Sequence, residues 1–224
     1  NRQLAYFPLW RARSQYGDAI SILLADEAYH DPELHELEAR LIETYYLEMI
    51  RGDVSGNRRA GLFELGRDAY RRLAAYQAHA VSQGGSVAGF ANALVELADW
   101  ELIGSRNGPA LERYREAYEL LEQQGTSGAA LAELFAPETP IVLPAFEPNP
   151  LLPDDVASRS SQYVDVAFEI SRYGKSRNVE IIDATVDRAQ ERNVMRLLSR
   201  SRFRPTLTDG EVTHGSEFVL RYHY

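Results

Sequence analysis

Four arginines, Arg188, Arg192, Arg196 and Arg200, recur every four residues near the C-terminal end of the chain. On a helix this spacing lines them along one face, where like charges repel by about 0.2–0.5 kcal/mol per pair. A partner carrying carboxylates or phosphates would relieve the repulsion, and Arg192 and Arg196 are its candidate contacts. A solvated face, with Asp187 and Glu191 nearby, accounts for the same pattern without a partner. Arg204 stands within Phe203-Arg204-Pro205. That context puts it either at a recognition edge or beside a core plug that ends a helix, with Pro205 as the stop.

The remaining polar residues offer little catalytic chemistry. The five histidines, His30, His35, His79, His214 and His223, show no metal-ligand spacing apart from His30 and His35, which lie on either side of an expected helix start. Glu36, Glu38, Glu43 and Glu48 fit an exposed helix face better than an acid–base pair. The chain has no cysteine, which excludes a disulfide, a thiolate metal site and a thiol nucleophile. It also has no Gly-rich phosphate loop, nucleophile elbow or zinc-binding helix motif. The expectation is a protein that is not an enzyme, with no catalytic residue, no metal and no cofactor.

Composition and charge narrow the class further. An apolar share of 45% in 224 residues predicts a packed protein, and the apolar runs are too short to cross a bilayer. Residues 1–155 carry 13 Lys+Arg against 24 Asp+Glu, a balance of −11, while residues 156–224 carry 11 against 9, a balance of +2. An acidic total with no concentrated basic patch on the larger half argues against general nucleic-acid binding. The chain opens at Asn1 without an initiator methionine. We expect an N-terminal segment upstream, and any membrane anchor would lie there.

These residues must be positioned by a chain that changes character near its middle. Six of the ten prolines fall between Pro137 and Pro153. Proline fixes φ and removes a donor, so residues 137–155 are expected to be an extended, proline-rich linker, with Ile141, Val142, Leu143 and Phe146 able to pin part of it to a neighbour. Before it, apolar residues recur at helical spacing. Asp31 is placed to cap a helix that starts at Pro32, whose inward stripe is expected to be Leu34, Leu37, Leu41 and Tyr45. A further helix is expected over residues 60–82, with residues 52–61 as an insertion between paired helices.

Leu94, Leu97 and Ala98 are followed by Ala110, Tyr114 and Ala117 at a spacing that lets two antiparallel helices, residues 90–103 and 109–123, approach closely. That pattern resembles the tetratricopeptide repeat (TPR). Residues 1–136 are accordingly expected to form a TPR-like helical repeat domain.

After the linker the period becomes two. Val164, Val166, Phe168 and Ile170 alternate with Asp165, Ala167, Glu169 and Ser171, which predicts a half-buried strand. Gly174 suits a turn at positive φ, and residues 178–184 return as a strand with Val179 and Ile181 inward. A helix over residues 187–200 places Val194, Leu197 and Leu198 inward. The chain then passes Phe203 and Pro205, turns at Asp209-Gly210 and closes on an alternating strand over residues 218–224.

This ββαβ order resembles the C-terminal domain of the energy transducer TonB family. Val164 to Ile170, Gly174, Asn178 to Ile181, Phe203-Arg204-Pro205 and Gly210 carry the likeness. The fold class expected is therefore multidomain, α then α+β, with a TonB-like domain over residues 156–224. The resemblance implies a bacterial cell-envelope protein on the periplasmic side, involved in transport or scaffolding. It also implies an edge strand at Phe218, Val219, Leu220, Arg221 and Tyr222 that takes up an extended peptide segment of a partner envelope protein. Pairing of that edge between two copies, as a homodimer, is a further expectation. The alternatives from other classes are a cell-wall-acting enzyme with a site between the halves and a cytosolic TPR adaptor.

Overall fold

The computed structural model describes residues 9–26, 32–50, 54–144 and 162–223. Asp31, His30 and Phe146, singled out above, lie outside the described residues. By contact, the chain divides into two compact units, residues 1–97 and 98–224. The division therefore falls within a helix rather than in the proline-rich segment. The described elements are mixed, predominantly helical with small antiparallel sheets.

The first unit is helical. It holds α1 (Leu9–Ala25), α2 (Pro32–Met49), α3 (Gly56–Ser82) and the start of α4 (Val87–Ile103). The partners Glu38 with Arg72 and Glu48 with Arg58 show that α2 and α3 run antiparallel. Ser55 caps α3, its side chain accepting from the Arg58 N–H, so the helix begins at Gly56 and the expected insertion over residues 52–61 is helical from that point on. Gly84, at φ +87, ends it in the left-handed conformation that glycine adopts without penalty.

The inward face of α2 is Leu34, Leu41, Ile42, Tyr46 and Met49, with Leu37 and Tyr45 only half-buried. Two of its acids, expected to be exposed, are inside. Glu38 is fully buried because Arg72 meets it with two hydrogen bonds, at 2.7 and 2.9 Å. Glu48 is buried between Arg13 and Arg58. Burial pushes the Glu48 carboxyl up, but the hydrogen bonds from Arg58 and Arg13 outweigh it and hold the group below its ordinary value.

The second unit contains the end of α4, α5 (Asn107–Gln123), α6 (Gly128–Phe135) and the whole α+β region. Ala98, Ala110, Tyr114 and Ala117 are completely buried, as small or space-filling residues between close helices should be. Its long strands are β2 (Tyr163–Ile170), β3 (Ser176–Ala184) and β7 (Ser216–His223), joined in the order β3-β2-β7. Helix α7 (Arg188–Arg200) packs against β3 and covers one face of this sheet with Val194 and Leu198. Asp187 caps it in a capping box with Gln190.

Short strands tie this region to the preceding chain. β1 (Val142–Leu143) pairs with β4 (Arg202–Phe203), so that end of the proline-rich segment is a strand. Strands β5 (Leu207–Thr208) and β6 (Glu211–Val212) form a hairpin whose turn, Asp209 at φ 52 and Gly210 at φ 76, matches the type expected for a two-residue loop. Gly174, at φ +68, is required twice over: an added Cβ would also meet the Phe203 carbonyl oxygen at 2.2 Å.

Candidate protein-docking edge

The two edges of the three-stranded sheet differ. β3 is interrupted by two register shifts against β2, one leaving Ile182 unmatched and the other at Asn178, whose φ is 49. Such bulges bend and blunt an edge. β7 instead pairs with β2 in one unbroken register from Ser216 to His223 and has no neighbour on its other side among the described residues. It also lacks proline and lysine, the residues that commonly protect an edge.

The alternation of the backbone tells which groups of β7 face outward. The Tyr163 carbonyl accepts from the Thr185 N–H, and the Ser171 N–H donates to the Lys175 carbonyl. Odd-numbered residues of β2 therefore turn their backbone groups toward β3, and even-numbered ones toward β7. Val164 with Tyr222, Val166 with Leu220 and Phe168 with Phe218 are the hydrogen-bonded pairs. Glu217, Val219 and Arg221 direct their N–H and C=O away from β2, to the outer edge.

Side chains on β7 also alternate. Phe218 and Leu220 are half-buried and pack on the core cluster that includes Phe168, whose ring centroid lies 6.2 Å from that of Phe218. Tyr222 is buried. Val219 is 61% exposed on the opposite face, beside Glu217 and Arg221. There Arg221 donates to both oxygens of Asp165, at 2.7 and 2.6 Å, and its guanidinium lies 4.1 Å over the Tyr163 ring. The Tyr163 hydroxyl in turn donates to Asp183 at 2.6 Å.

These contacts shift the proton affinities of the groups they join. The hydrogen bond from Arg221 holds the Asp165 carboxyl below its ordinary pKa, and the same bond raises Arg221. The hydrogen bond to Asp183 raises Tyr163. Next to this network Glu169, Glu180, Glu217 and Val219 line an open concavity of about 490 Å³. Glu217 lies directly across from Glu169, which accepts a hydrogen bond from Asn178 at 2.8 Å.

The other expected contacts lie elsewhere. Arg192 and Arg196 are exposed with Arg188 and Arg200 on the outer face of α7, which covers the apolar side of the sheet. They are thus on the opposite side from Val219, and the two features do not form one site. None of the four has an ion-pair partner among the described residues. Arg204 is inside: its side chain is 8% exposed and holds Asp99 with bonds of 3.0 and 2.6 Å, while the Tyr114 hydroxyl donates to the same carboxylate at 2.6 Å. Arg204 therefore belongs to the core-plug alternative. Burial, followed by the charge of Asp99, raises the Tyr114 hydroxyl well above its ordinary value.

Among the described residues no group of three His, Asp or Glu is placed to hold a metal, and no helix is long and apolar enough to cross a membrane. No protein-family model, no curated protein and no solved structure matches the chain.

Proposed function

We propose that this chain is a non-enzymatic protein-binding scaffold or coupling protein whose β7 edge captures an extended segment of a partner by strand addition. The supporting observation is the unbroken, one-sided β7, which offers outward N–H and C=O groups at Glu217, Val219 and Arg221 beside an exposed Val219. Main-chain bonds supply affinity in this mode, and pockets for alternate side chains supply selectivity. A TonB-like identity for residues 156–224 and a periplasmic, cell-envelope setting belong to the same proposal. They rest on the resemblance carried by Val164 to Ile170, Gly174 and Phe203-Arg204-Pro205. TPR-like pairing of α4 and α5 would add a second protein-binding surface.

The test uses a displayed library of random ten-residue peptides selected on the immobilised full chain. Val219→Pro removes an N–H that faces outward and leaves the β2 ladder intact, whereas proline at Leu220 would remove a bond to Val166. Loss of capture by Val219→Pro, with an unchanged circular-dichroism spectrum, supports the edge. Undiminished capture by the folded variant contradicts it. The envelope setting is tested separately by protease access to the native protein from the periplasmic side of intact spheroplasts.

A further inference from the structure

We infer that β7 is self-complementary, and that two copies of this chain pair through it, antiparallel and centred on Val219. Read outward along the edge, Glu217, Val219 and Arg221 are acidic, apolar and basic. In an antiparallel pair centred on Val219, each Glu217 stands opposite Arg221 of the second copy, and the two Val219 side chains cover one another. The backbone permits this register because Glu217, Val219 and Arg221 all turn their N–H and C=O outward, as hydrogen-bonded pairs require. A slip of one residue would set inward-facing groups against outward-facing ones. Registers centred on Glu217 or on Arg221 set like charges opposite each other.

Both faces of the strand agree with this register. On the core side, Phe218 meets Leu220 of the second copy in the closer, non-hydrogen-bonded pairs, where aromatic and aliphatic side chains gain most. Both residues already pack on the core cluster, so pairing would continue that core across the two-fold axis. On the open side, Glu217 faces Glu169 across the strands within its own copy, a like-charge pair with no cation bonded to it among the described residues. Arg221 of the second copy supplies that cation. Arg221 uses Nε and Nη2 on Asp165, and a guanidinium has five N–H donors, so donors remain for Glu217.

Self-pairing and peptide capture use the same outward groups and therefore compete. The paired form is the closed state of the edge, a regulatory consequence that rests on the capture reading, while the pairing itself does not.

The test is the mass of the full chain by light scattering over a concentration series. The mass should rise from 25.3 kDa toward twice that value for the native chain. Glu217→Arg and Arg221→Glu should each stay at the single mass, because each sets like charges opposite one another. An equimolar mixture of the two restores opposite charges at both positions and should double the mass. If Arg221→Glu does not fold after losing Asp165, Val219→Lys, which sets two cations together at the axis, replaces it in the single-variant arm. A native chain that stays at the single mass, or folded variants that pair as the native chain does, would overturn the inference. A native chain that stays at the single mass at every concentration yet captures a selected peptide overturns the pairing alone, and a native chain that pairs but, diluted to its single mass, captures no peptide overturns the capture alone.

Discussion

At the residue scale, charges with fixed partners give the sharpest expectations. Asp99 and Arg204 are both buried and hold each other with two bonds, with Tyr114 on the same carboxylate. Removing one partner strands the other charge, so Asp99→Ala should lower the unfolding free energy by about 3–5 kcal/mol in a urea titration. Asp99→Ala together with Arg204→Met should recover a large part of that loss. Asp165 predicts a pH effect. Its carboxyl is held below the ordinary value by Arg221, so its stabilisation is complete above the unfolded aspartate pKa, about 3.9, and is lost as pH falls through the lower folded value. Asp165→Asn should therefore lose less stability than the native chain between pH 5 and pH 2, measured by urea midpoints. The sequence marked Arg204 as a residue of interest but could not place it. Asp99 is 105 positions away, and nothing local distinguishes its carboxylate from the exposed ones. The same limit hid Glu38 and Glu48, whose burial depends on arginines of neighbouring helices.

At the element scale, local signals were sufficient where a period and a terminus coincide. The alternation from Val164 to Ile170, the positive φ of Gly174, the Asp209-Gly210 turn and the apolar face of α7 all follow from neighbouring residues. The bulges of β3 were not legible, because a bulge appears only against a partner strand. They matter most for the candidate site, since they leave β7 as the regular edge. Nor could β1 be read, because it consists of two residues in proline-rich sequence and exists by pairing with β4. Gly174 tests how far the turn constrains this region. Gly174→Ala meets both a left-handed φ and a carbonyl at 2.2 Å, so it should destabilise the chain by at least about 1–3 kcal/mol in thermal or urea unfolding.

At the scale of the whole molecule, the contacts that unify residues 98–224 cross the proline-rich segment. Arg204 reaches Asp99 and the carbonyl of Leu134 through its side chain and that of Ile141 through its backbone, and Arg115 reaches Glu211 at 3.0 Å. A fragment starting at residue 87 should therefore melt well above one starting at residue 156, the second having lost every partner of Arg204 on the earlier helices. Equal melting temperatures would show that the helices add nothing to the α+β region.

The central claim, that β7 takes up a strand, is tested most directly by amide hydrogen exchange along β7 at a dilution where the chain is monomeric. The account predicts that Leu220, bonded to β2, exchanges slowly throughout. Val219 and Arg221 should exchange fast when free and slow sharply when a selected peptide is added. A bound peptide that leaves Val219 and Arg221 exchanging as before, or a free chain in which Leu220 exchanges as fast as Val219, would contradict it.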